Sequence, residues 1–327
     1  MRRCVDGRCP QIGAGVKSNE QRINYGGQAV IEGVMMRGRK KSVTAVRHPA
    51  GHIVVHGELL DPGRLAARFR RVYFLRGMVS VWEMLVVGMR SLSFSARVQM
   101  TATEGEDPVD DASSFVAGSL VIGLVAGIGL FFVLPLIITS FFDQFVASDL
   151  LSNVIEGGVR LGVFVAYIII IGFMPDIRRV WMYHGAEHKT INALEAGQVL
   201  TIGNVQSQSR THPRCGTAFL VMLVVVSVVI FAFLGRPPFI LRLLSRVALL
   251  PIIAGVGFEL IMFTARYRTN LISRIVAAPG IWFQRLTTRE PDDAQVEVAI
   301  VAMDRVLVAE DALASLRPKT LPVLVVE

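Results

Sequence analysis

Four apolar runs restrict this chain to folds that a lipid bilayer tolerates: Phe115 to Phe142, Gly157 to Met174, Thr217 to Leu234 and Val247 to Ala265. About 20 residues at about 1.5 Å rise each cross a hydrocarbon core of about 30 Å, so each run is predicted to form a transmembrane helix. Bilayer hydrocarbon offers no partner to backbone N–H and C=O groups, and a helix satisfies them internally. Pro135 and Pro251 are expected to kink their helices rather than to disqualify them. The composition agrees: 52% of the 327 residues are hydrophobic and 18% charged, against roughly 45–50% and about 25% in soluble domains.

The formal net charge of +8 raises the question of a nucleic-acid partner. No RNP-like aromatic motif, zinc-finger spacing or basic heptad helix accompanies it, so no such partner is expected. The basic residues instead order the topology. Seventeen Lys or Arg precede the first run and none lies between Asp143 and Glu156. Five lie between Pro175 and Gly216, three between Gly235 and Arg246, and eight from Arg266 onward. The positive-inside bias therefore places both termini and the Pro175 to Gly216 loop in the cytoplasm, with the arginines at 236, 242 and 246 weakly opposed. The first twenty residues lack an apolar core, so no cleaved secretion signal is expected and the internal runs do the targeting.

The fold expected is an α-helical integral membrane protein with about four transmembrane helices, a small cytoplasmic β-meander and amphipathic cytoplasmic helices. Residues 1–23 read as a disordered extension, in which Cys4 and Cys9 have no partner ligands; with Cys215 they are the only cysteines, too few to draw a disulfide framework. Residues 24–113 hold the meander and the amphipathic helices. Alternation of period two predicts strands over Ala29 to Arg37, Ser42 to Arg47 and Ile53 to Glu58, with a turn at Pro49-Ala50-Gly51. Asp61-Pro62 has the form of an N-cap and N1 proline opening a basic helix through Arg71. Over Tyr73 to Arg97 the charges Arg76, Glu83, Arg90 and Arg97 recur every seven residues and share a face, which predicts an in-plane or docked helix. A fifth span there would put the basic N-terminal region outside, against the charge bias. Residues 114–266 form the bundle, with the histidine-bearing loop 175–216 inside it, and 267–327 form cytoplasmic helices and a tail. Asp292 and Asp293 can cap a helix whose Val296, Ile300, Met303 and Leu307 make one apolar stripe, to be covered by the meander, the membrane or a second subunit.

Chemistry concentrates between the second and third runs. In His184-Gly185-Ala186-Glu187-His188 the two imidazoles lie one helical turn apart and can face one metal ion. H-x-x-E-H is the inverted zincin order, in which the histidines bind zinc and the glutamate, here Glu187, is the catalytic base. Five residues are a short motif, and histidines so spaced can also cap a helix or meet lipid phosphates. Further donors fall within reach of the same membrane face: His212 and Cys215 just before the third run, and Glu259, a lone carboxylate inside the fourth. Intramembrane carboxylates are costly unless paired or wet, so Glu259 is either a ligand or the partner of a basic residue such as Arg266 or one on a neighbouring helix. Glu195 falls on the same helical face seven residues after His188 and can be a ligand or a supporting partner. The metal set expected is thus His184, His188, His212, Cys215 and Glu259, with zinc as the ion. The Gly26 to Gly38 segment lacks the Walker lysine and the G-x-G-x-x-G spacing, so no nucleotide site is read there. Its Glu32 is either an outward strand residue or a further carboxylate for the same site, and Met35 and Met36 are core filler.

Three segments, Gly26 to Gly38 (GGQAVIEGVMMRG), Tyr183 to Thr190 (YHGAEHKT) and His212 to Thr217 (HPRCGT), together resemble the YqhQ-like family, over about Asn24 to Val301. That family comprises bacterial membrane proteins of unknown function that are described as metal-dependent enzymes. The resemblance implies a bacterial cytoplasmic membrane location and a metal, and no substrate or reaction. Two functions follow from the residues. One is a metal-dependent enzyme of hydrolase type working at the membrane surface, with Glu187 as base. The other is a non-enzymatic scaffold or assembly factor in which His184, His188, His212 and Cys215 close a structural zinc site. Its partners are the lipid bilayer and either another protein or a second copy. Transport through Arg160 and Glu259 finds no repeat to support it.

Overall fold

The computed structural model describes residues 25–60, 69, 72, 75–104, 112–267, 269–310 and 324–325. The expected N-terminal extension with Cys4 and Cys9 lies outside these residues, and so does the basic helix from Asp61 except for Phe69.

Four antiparallel strands follow one another in space as in sequence: β1 (Gly26–Val30), β2 (Gly33–Arg37), β3 (Lys41–Arg47) and β4 (Ile53–Leu59). A two-residue β5 (Leu324–Val325) pairs parallel with β4. The single strand expected over Ala29 to Arg37 is in fact a hairpin. Val30 pairs with Gly33, and Ile31-Glu32 form the turn. Glu32 has φ +50°, a backbone that side chains other than Gly, Asn or Asp seldom adopt. Neither turn residue is a glycine, although Gly33 closes the turn opposite Val30, and tertiary contacts hold Glu32 in place. Both carboxylate oxygens of Glu32 are gripped by the Arg179 guanidinium, and the Tyr183 hydroxyl donates to one of them at 3.3 Å.

Alternation sends the side chains of the sheet to two covered faces. Val34, Met36, Val43, Ala45, Ile53 and Val55 enter the main core, while Val30, Val46 and Val54 meet Val98 and Phe94. The second set packs on α1 (Leu75–Glu104), which Thr44 joins by a hydrogen bond to Ser91 at 3.0 Å. The heptad-spaced charges of α1 are anchors: Glu83 accepts from Arg37 at 3.1 Å, and Arg76 Nε donates to Glu259 at 2.7 Å. Helix α1 is therefore docked along the sheet and onto the membrane-type helices.

The apolar helices are α2 (Ala112–Ile128), a π-helical turn (Gly129–Val133), α3 (Leu134–Phe142), α4 (Asp149–Ile171), α7 (Gly216–Ala232), α8 (Phe239–Ala248) and α9 (Leu250–Arg266). Between α4 and α7 lie α5 (Pro175–Glu195) and the short α6 (Ile202–Gln206); α10 (Leu271–Thr287) and α11 (Asp293–Ala309) follow α9. Among the described residues, Val121–Phe145 and Asp149–Ile171 are long and apolar enough to cross a membrane, and α8 with α9 would be a third, bent by 42°. Helix α7 is apolar but only 17 residues long. Pro251 starts α9 after the bend, at the first turn where its missing N–H costs least.

Pro135 has a different consequence. Without an N–H it cannot bond the Phe131 carbonyl four residues before it, and Arg160 Nε on α4 donates to that oxygen at 3.0 Å. Arg160 belongs to a buried ion cluster. Glu156 accepts from Arg160, from Arg242 Nε at 3.0 Å and from both Nε and Nη2 of Arg246 at 3.2 Å. Arg242 also reaches Asp143 at 2.9 Å, and Arg246 lies 4.5 Å over the Phe231 ring. Two of the arginines that opposed the topology, Arg242 and Arg246, are thus buried and paired rather than displayed, and the third, Arg236, pairs with Asp149 at 2.6 Å.

Helix α11 begins with the N-cap expected at Asp292, which Gln295 completes as a capping box. Its stripe, Val296, Ile300, Met303 and Leu307, is covered by the meander and by α5.

Candidate metal centre

Helix α5 opens on Pro175 at its first turn, with Asp176 favourably placed against the helix dipole. It packs against β1 and β2 of the sheet and against α11 and α6, and its second half is almost wholly buried. His184 and His188, one turn apart, bring their ring centroids to 4.4 Å. Cys215 sits at the N-cap of α7, where its sulfur accepts from the Thr217 amide at 3.3 Å and lies 3.1 Å from the Thr217 hydroxyl. The same sulfur is 3.1 Å from His184 Nε2. One donor atom each from His184, His188 and Cys215 all fall within 4.8 Å of one another.

Each histidine is oriented from behind. His184 Nδ1 lies 2.9 Å from the Thr287 carbonyl on α10, and His188 Nδ1 lies 2.6 Å from the Arg210 carbonyl. A carbonyl only accepts, so both Nδ1 atoms carry protons and the Nε2 atoms face the shared space. Among the described residues, His188 Nε2 is buried with no partner at hydrogen-bond geometry, and it faces the Cys215 sulfur within 4.8 Å. An orphaned ring nitrogen beside a thiol and a second imidazole is the arrangement that histidine–metal sites use, with the far nitrogen fixed by a carbonyl. Buried polar atoms otherwise nearly always find partners.

The electrostatics favour a charged pair. Burial pushes the Cys215 thiol up, but His184 and His188 hold it well below the usual thiol range. Burial likewise opposes charge on His184, yet the adjacent Cys215 and Glu187 raise it to about 9. Glu187 is buried and raised, desolvation outweighing the pull of His188 and His184. Its carboxyl packs against β1, where a Cβ at Gly27 would come within 2.8 Å of Glu187 Cγ. The first two glycine-bearing motifs therefore meet in space: Gly27 leaves the room that Glu187 fills.

His212 is buried next to the cluster, its ring centroid 6.0 Å from that of His188. Its Nδ1 lies 3.4 Å from the Arg214 amide, and its Nε2 is 3.5 Å from Glu195. Burial lowers the His212 pKa, while the adjacent His212 ring, helped by Arg214, lowers Glu195 to about 2. Glu195 thus supports the His212 loop. Glu259 forms a two-pronged pair with Arg76, the neighbouring-helix partner that its position allowed. Neither His212 nor Glu259 belongs to the three-donor group. Glu32 is engaged by Arg179 at the hairpin turn.

Sequence reasoning missed the α10 contributions. Gln284, fully buried, accepts from the His212 amide at 2.8 Å and donates to the His212 carbonyl at 2.9 Å. It clamps the loop that delivers Cys215. Gln284 shares the buried face of α10 with Ser273, Gly280 and Thr287, and that run of small and polar residues in an apolar helix was the available signal.

Gly185 has its own steric reason. A Cβ there would fall on the Arg289 carbonyl oxygen, in the segment whose amide donates to Trp181. Gly185→Ala is expected to push that segment and the adjacent Thr287 carbonyl away from α5, costing about 1–3 kcal/mol. Thermal unfolding of the variant beside wild type checks this; an unchanged midpoint would refute it.

Residues 72–309 match the family described as "Protein of unknown function (DUF1385)". The chain is 33% identical over 292 residues to "Uncharacterized protein YqhQ" of Bacillus subtilis (strain 168), covering 86% of this chain and 92% of that one. No solved structure matches.

Proposed function

Because this chain belongs to the DUF1385 family of proteins of unknown function, the site alone must supply an activity, and we propose a membrane-embedded, zinc-dependent hydrolase. His184, His188 and Cys215 hold the ion and Glu187 is the catalytic base. The observation that carries this reading is the three-donor group with the buried, unpartnered Nε2 of His188. Nitrogen and thiolate donors suit zinc, and three protein ligands leave a coordination position for water or substrate. Bound there, a divalent ion would polarise a carbonyl or phosphoryl oxygen and acidify water. Glu187 adjoins the pair, and burial raises its pKa above the usual carboxylate range, the direction that suits a group that must return the proton it takes. Ester, peptide or phosphoester cleavage is the reaction class.

The chain spans the bacterial cytoplasmic membrane four times, with α7 and the bent α8–α9 pair as third and fourth crossings. Both termini, the sheet and the centre face the cytoplasm. The basic-residue bias supports this orientation, and the three arginines that opposed it bind Glu156, Asp143 and Asp149.

Purified full-length protein should carry about one zinc per chain, and Glu187→Gln should keep the zinc while losing about 10²–10⁴-fold in turnover of lipid ester or phosphoester substrates. Metal-free wild type, or undiminished turnover by Glu187→Gln, would overturn the proposal. The scaffold reading draws on the burial of His212 only 6.0 Å from His188: as a fourth ligand it would close the site. In that case His212→Ala, too, would lose zinc.

A further inference from the structure

Helices α7, α9 and α10, two of which bear the centre at their ends, enclose a cavity of about 420 Å³. Every lining side chain is apolar, among them Val221, Val225 and Val229 on α7, Leu260 on α9 and Ile275 on α10. The α7 residues form one stripe from Val221 to Ile230, roughly 14 Å long at 1.5 Å per residue. The cavity is therefore elongated. It is also open at the side, since Val229 and Ile275 are 58% and 63% exposed.

One end points at the centre. Val221 lies six residues along α7 from Cys215, and Gly280 lies seven before Thr287, whose carbonyl orients His184. That is about 9–11 Å along either helix. Gly280 lets α10 close on α7 at this end, where a Cβ would approach Ala218 to 2.8 Å.

Water does not stably fill a cavity without polar partners. A compact polar ligand would find no group to orient it. A hydrocarbon chain meets neither objection, and the open side faces the level at which the proposed crossings place bilayer hydrocarbon. We propose that this cavity seats one acyl chain of a lipid substrate, with the chain terminus toward Val229 and its carboxyl end toward Val221 and Gly280. The polar head is thereby delivered to the His184/His188/Cys215 centre. This names the substrate class of the hydrolase and rests on that reading for the fate of the head.

The test uses full-length protein in vesicles containing phosphatidylglycerol with a diazirine in one acyl chain, placed either near the terminal methyl or near the carboxyl. Terminal labels are expected on 225–230 and Ile275, and carboxyl-end labels on Val221 and 279–280. Val225→Trp, or Ile275→Trp at a more exposed position, should reduce labelling several-fold with zinc content unchanged. His188→Ala should lose zinc and keep the labelling. Label spread evenly over exposed positions such as Ile122, Val125 and Ile170, or indifferent to both tryptophans, would overturn the acyl-chain site. The same follows if the two probes map in reverse order. Concentrated, correctly ordered labelling in a protein without zinc would support the chain site and sink the metal reading alone.

Discussion

Cys215→Ser and His188→Ala are each expected to abolish stoichiometric zinc binding, and zinc binding by the wild type should strengthen as pH rises to about 9. Removing a supporting partner alone typically lowers metal affinity by about 10–100-fold, so losing one of three direct donors should exceed that. The pH dependence follows from the metal-free site. Cys215 is held well below the usual thiol range, so near neutrality it is already the thiolate that a metal needs. His184, raised to about 9, still carries a proton that a metal must displace. Below that value affinity should climb by about tenfold per pH unit, with about one proton released per ion, and level off above it. Calorimetry in buffers of different ionisation enthalpy measures the released proton directly. A flat pH profile between 6 and about 8 would refute the assignment of His184 as ligand.

Glu156→Gln is expected to be the most destabilising single change outside the centre. Its carboxylate faces Arg160, Arg242 and Arg246, all nearly or wholly buried. Without it Asp143, reached by Arg242, is the remaining acid in the cluster. Breaking a buried ion pair by deleting one partner costs about 3–5 kcal/mol, since it strands the other charge. Native stability is only about 5–15 kcal/mol, so an apparent melting point lower by about 10 °C is expected in detergent. The control is Glu156→Met combined with Arg246→Met. Removing charges together with their partner can be neutral, so this pair should recover part of the loss. If Glu156→Gln melts with wild type, the cluster is not what joins α4 to α8.

Much of the fold was legible in local pattern. The apolar runs, the docked charges of α1, the capped α11 stripe and most of the meander came from periodicities of 3.6 and 2, which neighbouring residues carry between them. The pattern failed at Ile31-Glu32, where Arg179 and Tyr183 hold a turn that the local residues do not favour. It failed again at α10, whose role appears only when Gln284 and Thr287 reach the loop and helix they support.

The sequence by itself determined that His184 and His188 share a helix face and that Glu187 accompanies them, because one turn of helix is a local distance. It also determined that apolar helices flank them. Which distant group joins the pair was decided only by the tertiary structure. Cys215 arrives across 31 residues and the Thr287 carbonyl across 103, while Glu259 is taken by Arg76 and His212 turns to Glu195. Spacing along a chain specifies neighbours on one element, whereas convergence of separate elements depends on how their buried faces and charges pair, which no single segment encodes.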